Sequence, residues 1–183
     1  MRRALPVVFV LSLAGCASTA PPPAPAPAAP APGSVQRASA NIAGASGSLV
    51  SGRLMLEAMA GGVHVHGDLG GLAPNSTHGF HVHETGDCSA ADAASAGGHY
   101  NPTGSAHGRA EAPVHHAGDI DNIVADASGV AHVNAHLAGV TLGGDNAIVG
   151  RALVVHAAPD DYQTQPSGNS GARIGCGVIV AQP

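Results

Sequence analysis

Apolar residues alternate with polar or small ones over eight stretches: Ala38 to Ala43, Gly52 to Met59, Gly62 to Leu69, Gly79 to Glu84, Asp119 to Asp126, Val130 to Leu137, Val149 to His156 and Cys176 to Ala181. Gly, Pro, Asn and Asp bound these runs. A period of two puts successive side chains on opposite faces of a strand, and frequent turn formers keep each strand short. No stretch sustains a helical period. The pattern therefore predicts an all-β fold, an eight-stranded antiparallel Greek-key sandwich or barrel. Two intervals, residues 85–118 and 157–175, have no period at all. Irregular segments of that length inside one domain are usually functional and need something other than a ladder to pin them.

The first 36 residues follow different rules. Arg2 and Arg3 precede an apolar run, Val7 to Leu13, which leads through Ala14 and Gly15 into Cys16. The run is too short to cross a bilayer as a helix. This stretch resembles a bacterial lipoprotein signal, with residues 1–15 removed and Cys16 lipidated as the first mature residue. Residues 16–36 are Ala/Pro-rich and predict an extended spacer reaching on the order of 50–60 Å. Residues 37–183 form the folded domain. The expected location is the cell envelope, with the lipid in a membrane; Ala17 after the Cys resembles lipoproteins of an outer membrane, facing the periplasm.

Charge narrows the range of partners. The chain has no lysine, and its basic residues are Arg2, Arg3, Arg37, Arg53, Arg109, Arg151 and Arg173. Without a basic patch, nucleic acid is not an expected partner. Removal of residues 1–15 would leave five Arg against twelve Asp and Glu, a formal charge of −7. An anionic substrate then needs a local positive guide. Aromatic residues are only 2% of the chain, so small β-formers must fill the core. Oligomeric state is not legible, since an apolar strand face reads the same in a core as in a homodimer.

Once Cys16 is assigned to the lipid, Cys88 and Cys176 remain as an even pair in an oxidising compartment. A disulfide between them is expected.

Twelve histidines are present. Alternation places His81 and His83 on one strand face, opposite Phe80 and Val82, as a two-imidazole claw. The same test pairs His64 with His66 and His132 with His136, so spacing alone does not choose. Context favours the first pair. The long interval after it carries His99, His107, His115, His116 and Asp119, and His156 ends a later strand. Imidazoles with one carboxylate suit zinc or copper rather than Ca²⁺ or Mg²⁺.

Four motifs occur in order: Gly79-Phe80-His81-Val82-His83-Glu84, Gly97-Gly98-His99-Tyr100-Asn101-Pro102, His116-Ala117-Gly118-Asp119, and Gly168-Asn169-Ser170-Gly171-Ala172-Arg173-Ile174-Gly175-Cys176-Gly177. Together they resemble the signatures of copper/zinc superoxide dismutases, and the likeness runs from about residue 38 to 181. The resemblance implies copper ligands His81, His83, His99 and His156 and zinc ligands His99, His107, His116 and Asp119, with His99 bridging the two metals. It implies a linking carboxylate at Asp160, for which Asp161 is the rival, as His115 is for His116. It makes His99 and Arg173 the catalytic side chains, the first carrying a proton and the second guiding superoxide to a copper that cycles between Cu(II) and Cu(I). The second interval departs from many relatives in lacking Lys and Arg between Ala157 and Ala172, which leaves Arg173 as the main protein guide. His64, His66, His132 and His136 are expected to face solvent, and His78 to bond to backbone.

Overall fold

The computed structural model describes residues 35–183; the signal, Cys16 and most of the spacer lie outside them. The strands are β1 (Arg37–Gly44), β2 (Ser51–Met59), β3 (Gly62–Gly70), β4 (Thr77–His83), β5 (Asp119–Val124), β6 (Ala131–Ala138), β7 (Ala152–His156) and β8 (Arg173–Gln182). Among the described residues the only helix is a 3-10 turn at Ala94–Ala96, and none is long and apolar enough to cross a membrane.

All ladders are antiparallel, in the order β5-β4-β7-β8-β1-β2-β3-β6. The two end strands are consecutive in sequence, joined by the Asp126 to Val130 turn and the Ala125↔Ala131 bridge. The sheet is thereby a nearly closed barrel, which shields most strand edges. Both the β3-to-β4 and the β6-to-β7 connections leave the ladder and rejoin it elsewhere.

Alternation fills the barrel. Leu54 and Leu56 of β2, Val63, Val65 and Leu69 of β3, Phe80 and Val82 of β4, Leu153 and Val155 of β7 and Ile179 of β8 are all fully buried. Phe80 is the one large aromatic among them, consistent with a core built from Val, Leu and Ile.

β4 and β7 differ from the other strands because they are buried on both faces. Residues 84–118 and 157–172 pack over their outer side. That covering turns the outward face of two strands into an interior, and the histidines lie there.

Two strand boundaries differ from the alternation by three residues each. The run at Val149 extends as strand only from Ala152, because Gly150, at φ 83°, makes a turn. β8 begins at Arg173, three residues before Cys176, since Arg173 pairs with His156 across the ladder.

Candidate metal centre

His81 and His83 leave β4 on the face opposite Phe80 and Val82 and are covered by the two loops. His156 is the last residue of β7, and Asp119 the first of β5. The first loop is laid along β4: His99 forms a bridge with His83, and Tyr100 N donates to Val82 O at 2.8 Å while Val82 N donates to Gly118 O at 2.8 Å. A Cβ at position 118 would collide with the Val82 carbonyl, so glycine is what permits this approach. His99 and Asp119 are thereby brought beside the claw.

Two groups of four result, His81, His83, His99 and His156, and His99, His107, His116 and Asp119, all buried. Within each, one donor atom per residue lies within 4.8 Å of the others. His83 Nε2 and His156 Nε2 are 3.3 Å apart, as are His116 Nδ1 and His99 Nδ1. Two nitrogens bound tetrahedrally to one zinc-sized ion are about 3.3 Å apart, so these spacings fit a shared cation.

Hydrogen bonds decide which ring nitrogen faces each group. His83 Nδ1 lies 2.9 Å from Gly97 O and His156 Nδ1 3.3 Å from Gly171 O, so each donates there and its Nε2 keeps a lone pair. His81 is engaged the other way round, with Nε2 2.8 Å from Asp160 Oδ2. His81 Nδ1 and His99 Nε2 are buried without any partner. Orphaned buried nitrogens are costly, and a cation held by the first group would satisfy both. His99 Nδ1 meanwhile lies 2.8 Å from Asp119 Oδ1, in the second group. One imidazole therefore faces both sites.

Electrostatics separates the two groups. Burial lowers His83 to a pKa of about 2, His156 to about 3 and His81 to about 4, keeping all three neutral and able to coordinate at neutral pH. In the second group burial opposes ionisation of Asp119, but hydrogen bonds from His107 and His99 hold it well below the usual carboxylate range. His107 is pushed up to about 9: burial works against its proton, and hydrogen bonds to Asp119 and Asp160 outweigh that. Two ionised carboxylates in a dry site call for positive charge, which a divalent cation would supply.

Asp160 ties the groups together. Its Oδ2 engages His81, its Oδ1 lies 3.0 Å from His107 Nε2, and its own side chain is fully buried. Asp161 instead accepts from Gln163 N and Thr164 N on the surface. His115 turns to the His116 carbonyl, and His78 to the His156 carbonyl and the Ser76 hydroxyl. A layer of uncharged side chains supports the site with no motif to announce it. Asn122 brackets the Asp160 backbone through both N and O, and Gln165 does the same for His107. Asp160→Asn is expected to weaken binding of both metals by about 10- to 100-fold. Competition with a chelator measures this, and unchanged affinities would contradict the linking role.

A cavity of about 360 Å³ opens onto His83, His99 and His156 and is also lined by Arg173. The Arg173 guanidinium donates at 2.6 Å to both Ala93 O and Gly97 O of the first loop. It is the one Arg or Lys lining that cavity. Arg109 pairs with Asp121, and Arg151 is bound by the Ala147 and Glu84 carbonyls while lying 3.6 Å over the Tyr100 ring. The same loop is joined to β8 by a Cys88–Cys176 disulfide, with a Cα–Cα distance of 5.8 Å.

The sequence model of the family described as copper/zinc superoxide dismutase (SODC) matches residues 50–179. The chain belongs to the copper/zinc superoxide dismutase family. It is 39% identical over 148 residues to superoxide dismutase [Cu-Zn] 2 of Aquifex aeolicus (strain VF5), covering 78% of this chain and 86% of that one. Identity is 44% over 123 residues to superoxide dismutase [Cu-Zn] of Paramecium bursaria Chlorella virus 1, covering 64% of this chain and 65% of the viral protein. It is 41% over 130 residues to superoxide dismutase [Cu-Zn] 3 of Arabidopsis thaliana, covering 68% and 78%. As a copper/zinc superoxide dismutase the chain takes copper and zinc as its metals and superoxide as its substrate.

Proposed function

We propose that this dismutase works as a tethered enzyme of the cell envelope, using His99 and Arg173 as its catalytic side chains. The arrangement of His99 carries the chemical part: its two ring nitrogens face two different ligand groups, and its Nε2 has no other partner in a buried site.

In this reading His81, His83, His99 and His156 hold copper, and His99, His107, His116 and Asp119 hold zinc. Copper supplies the one-electron Cu(II)/Cu(I) couple that lets one superoxide be oxidised to O₂ while a second is reduced, with two protons, to H₂O₂. Arg173 draws the anion into the cavity and orients it, its guanidinium aimed by the Ala93 and Gly97 carbonyls. The His99 Nε2 lone pair can take either the cation or a proton, and in the protonated form it delivers that proton to the reduced substrate beside Arg173. The second proton reaches the anion from solvent through the open cavity. Asp119 and Asp160 keep His99, His107 and His81 in fixed orientations, so the proton-carrying ring returns to one position. Superoxide consumption by the purified protein, loaded with copper and zinc, tests the reading directly. A fully loaded sample without activity would sink it.

The envelope location rests on the segment from Arg2 to Cys16 and the Ala/Pro-rich spacer after it. A lipid on Cys16 would hold the enzyme at a membrane, with the outer membrane facing the periplasm favoured by Ala17. There it would remove superoxide, an anion that crosses membranes poorly, from the envelope. The intact mass of membrane-extracted protein checks this: chain from Cys16 plus acyl groups supports the tether, and a chain without lipid refutes it.

A further inference from the structure

The active site does not use the histidines of β3 and β6. In β3, Val63, Val65 and Leu69 fill the barrel, while His64, His66 and Asp68 face outward. Register places Glu57 of β2 opposite His64, and His136 of β6 opposite His64 on the other side. A row Glu57, His64, His136 thus crosses three strands, flanked by a second row of Met55, His66 and Asn134.

We propose that this face is a third metal site, in which Glu57, His64 and His66 bind a borderline divalent cation of the zinc type. One donor atom from each lies within 4.8 Å of the other two. The His64 and His66 rings stack at 5.1 Å with an interplanar angle of 21°, presenting both imidazoles along one direction. His66 Nε2 is 4.0 Å from Glu57 Oε1. His64 Nε2 is already held, 2.8 Å from Asn134 Oδ1. β3 is paired on both sides, so the backbone is rigid and only side-chain rotation separates this arrangement from a closed ligand set.

Ligand chemistry sets the class of ion. Two imidazoles and a carboxylate favour a borderline cation over Ca²⁺ or Mg²⁺, and three protein ligands leave a position for water. His136 can take that position, since directly opposed strand residues have Cβ atoms about 5 Å apart. The Glu57 and His66 side chains are 53% and 40% exposed, so the ion is exchangeable, unlike one held in the buried groups. The site shares no strand with His81, His83 and His156, and its failure would leave the dismutase reading untouched.

The test uses the chain already carrying its copper and zinc, titrated with Zn(II) by calorimetry, with metal counted after gel filtration. One further zinc per chain is expected. In the double variant His64→Ala, His66→Ala this zinc is lost or bound at least tenfold more weakly, while the first two metals and the superoxide rate stay unchanged. His132→Ala keeps it, because His132 is engaged by Asp68, at 2.7 Å, in a separate row. Absence of the further zinc in the parent protein, or its retention at unchanged affinity in the double variant, overturns the proposal.

Discussion

Arg173→Glu is expected to lower the superoxide rate by about tenfold or more at low salt, while copper and zinc contents stay at their parent values. Arg173 is the one Arg or Lys in the cavity onto which His83, His99 and His156 open, so the reversal replaces the guide by a barrier. Electrostatic steering contributes roughly 10- to 1,000-fold to association rates and weakens as salt shortens its range. The sign of the salt dependence is therefore the sharper readout. The parent rate should fall with ionic strength, and the variant rate should rise, because salt screens a repulsion. Glutamate also removes the guanidinium donor from the Ala93 and Gly97 carbonyls, which keep only their bonds from Ala96 N and His83 Nδ1. Arg173→Lys separates the two effects by keeping the charge and losing the fork: it should retain the falling salt profile. Loss of copper from the Glu variant, or an unchanged salt profile, would contradict the steering role.

Removing the disulfide is expected to cause the largest loss of stability. Cys88→Ser with Cys176→Ser opens a closure spanning 88 residues, for which chain entropy allows up to about 4.5 kcal/mol. For a protein of this size that corresponds to a fall in Tm on the order of 10 °C. A functional consequence should accompany it. The pair packs among Ala45, Ala93, Ala96, Ala152 and Val154, and the loop it anchors supplies both carbonyls that hold Arg173. Thermal unfolding of the metal-loaded double variant, alongside its superoxide rate, measures both effects. A Tm within two or three degrees of the parent would mean that metals and hydrogen bonds alone hold the loop.

Residues that act through another group were the least visible in advance. Asn122 and Gln165 carry no motif, and their amides matter because each satisfies both backbone groups of a residue in a separate segment, Asp160 and His107 respectively. Gly168 stands in a recognisable motif, yet its reason appears only in space. A Cβ there would meet the Asp160 carboxylate, at a φ of 64°.

The sequence alone determined the local half of the protein. A strand's two-residue period is covalent geometry, so Phe80 and Val82 had to share one face and His81 and His83 the other wherever that strand went. The eight alternating runs and the turn formers between them similarly settled an antiparallel all-β architecture. The period could not say which histidine pair would become interior, because His64 with His66 and His81 with His83 obey it equally. That choice belongs to the tertiary structure. The two loops fold over β4 and β7, bury one pair and leave the other on the surface of β3. The same folding brings Asp160 to His81, across 79 residues, and to His107, across 53. Burial, not residue type, keeps the claw histidines neutral and able to coordinate, and burial is a property of how remote segments pack.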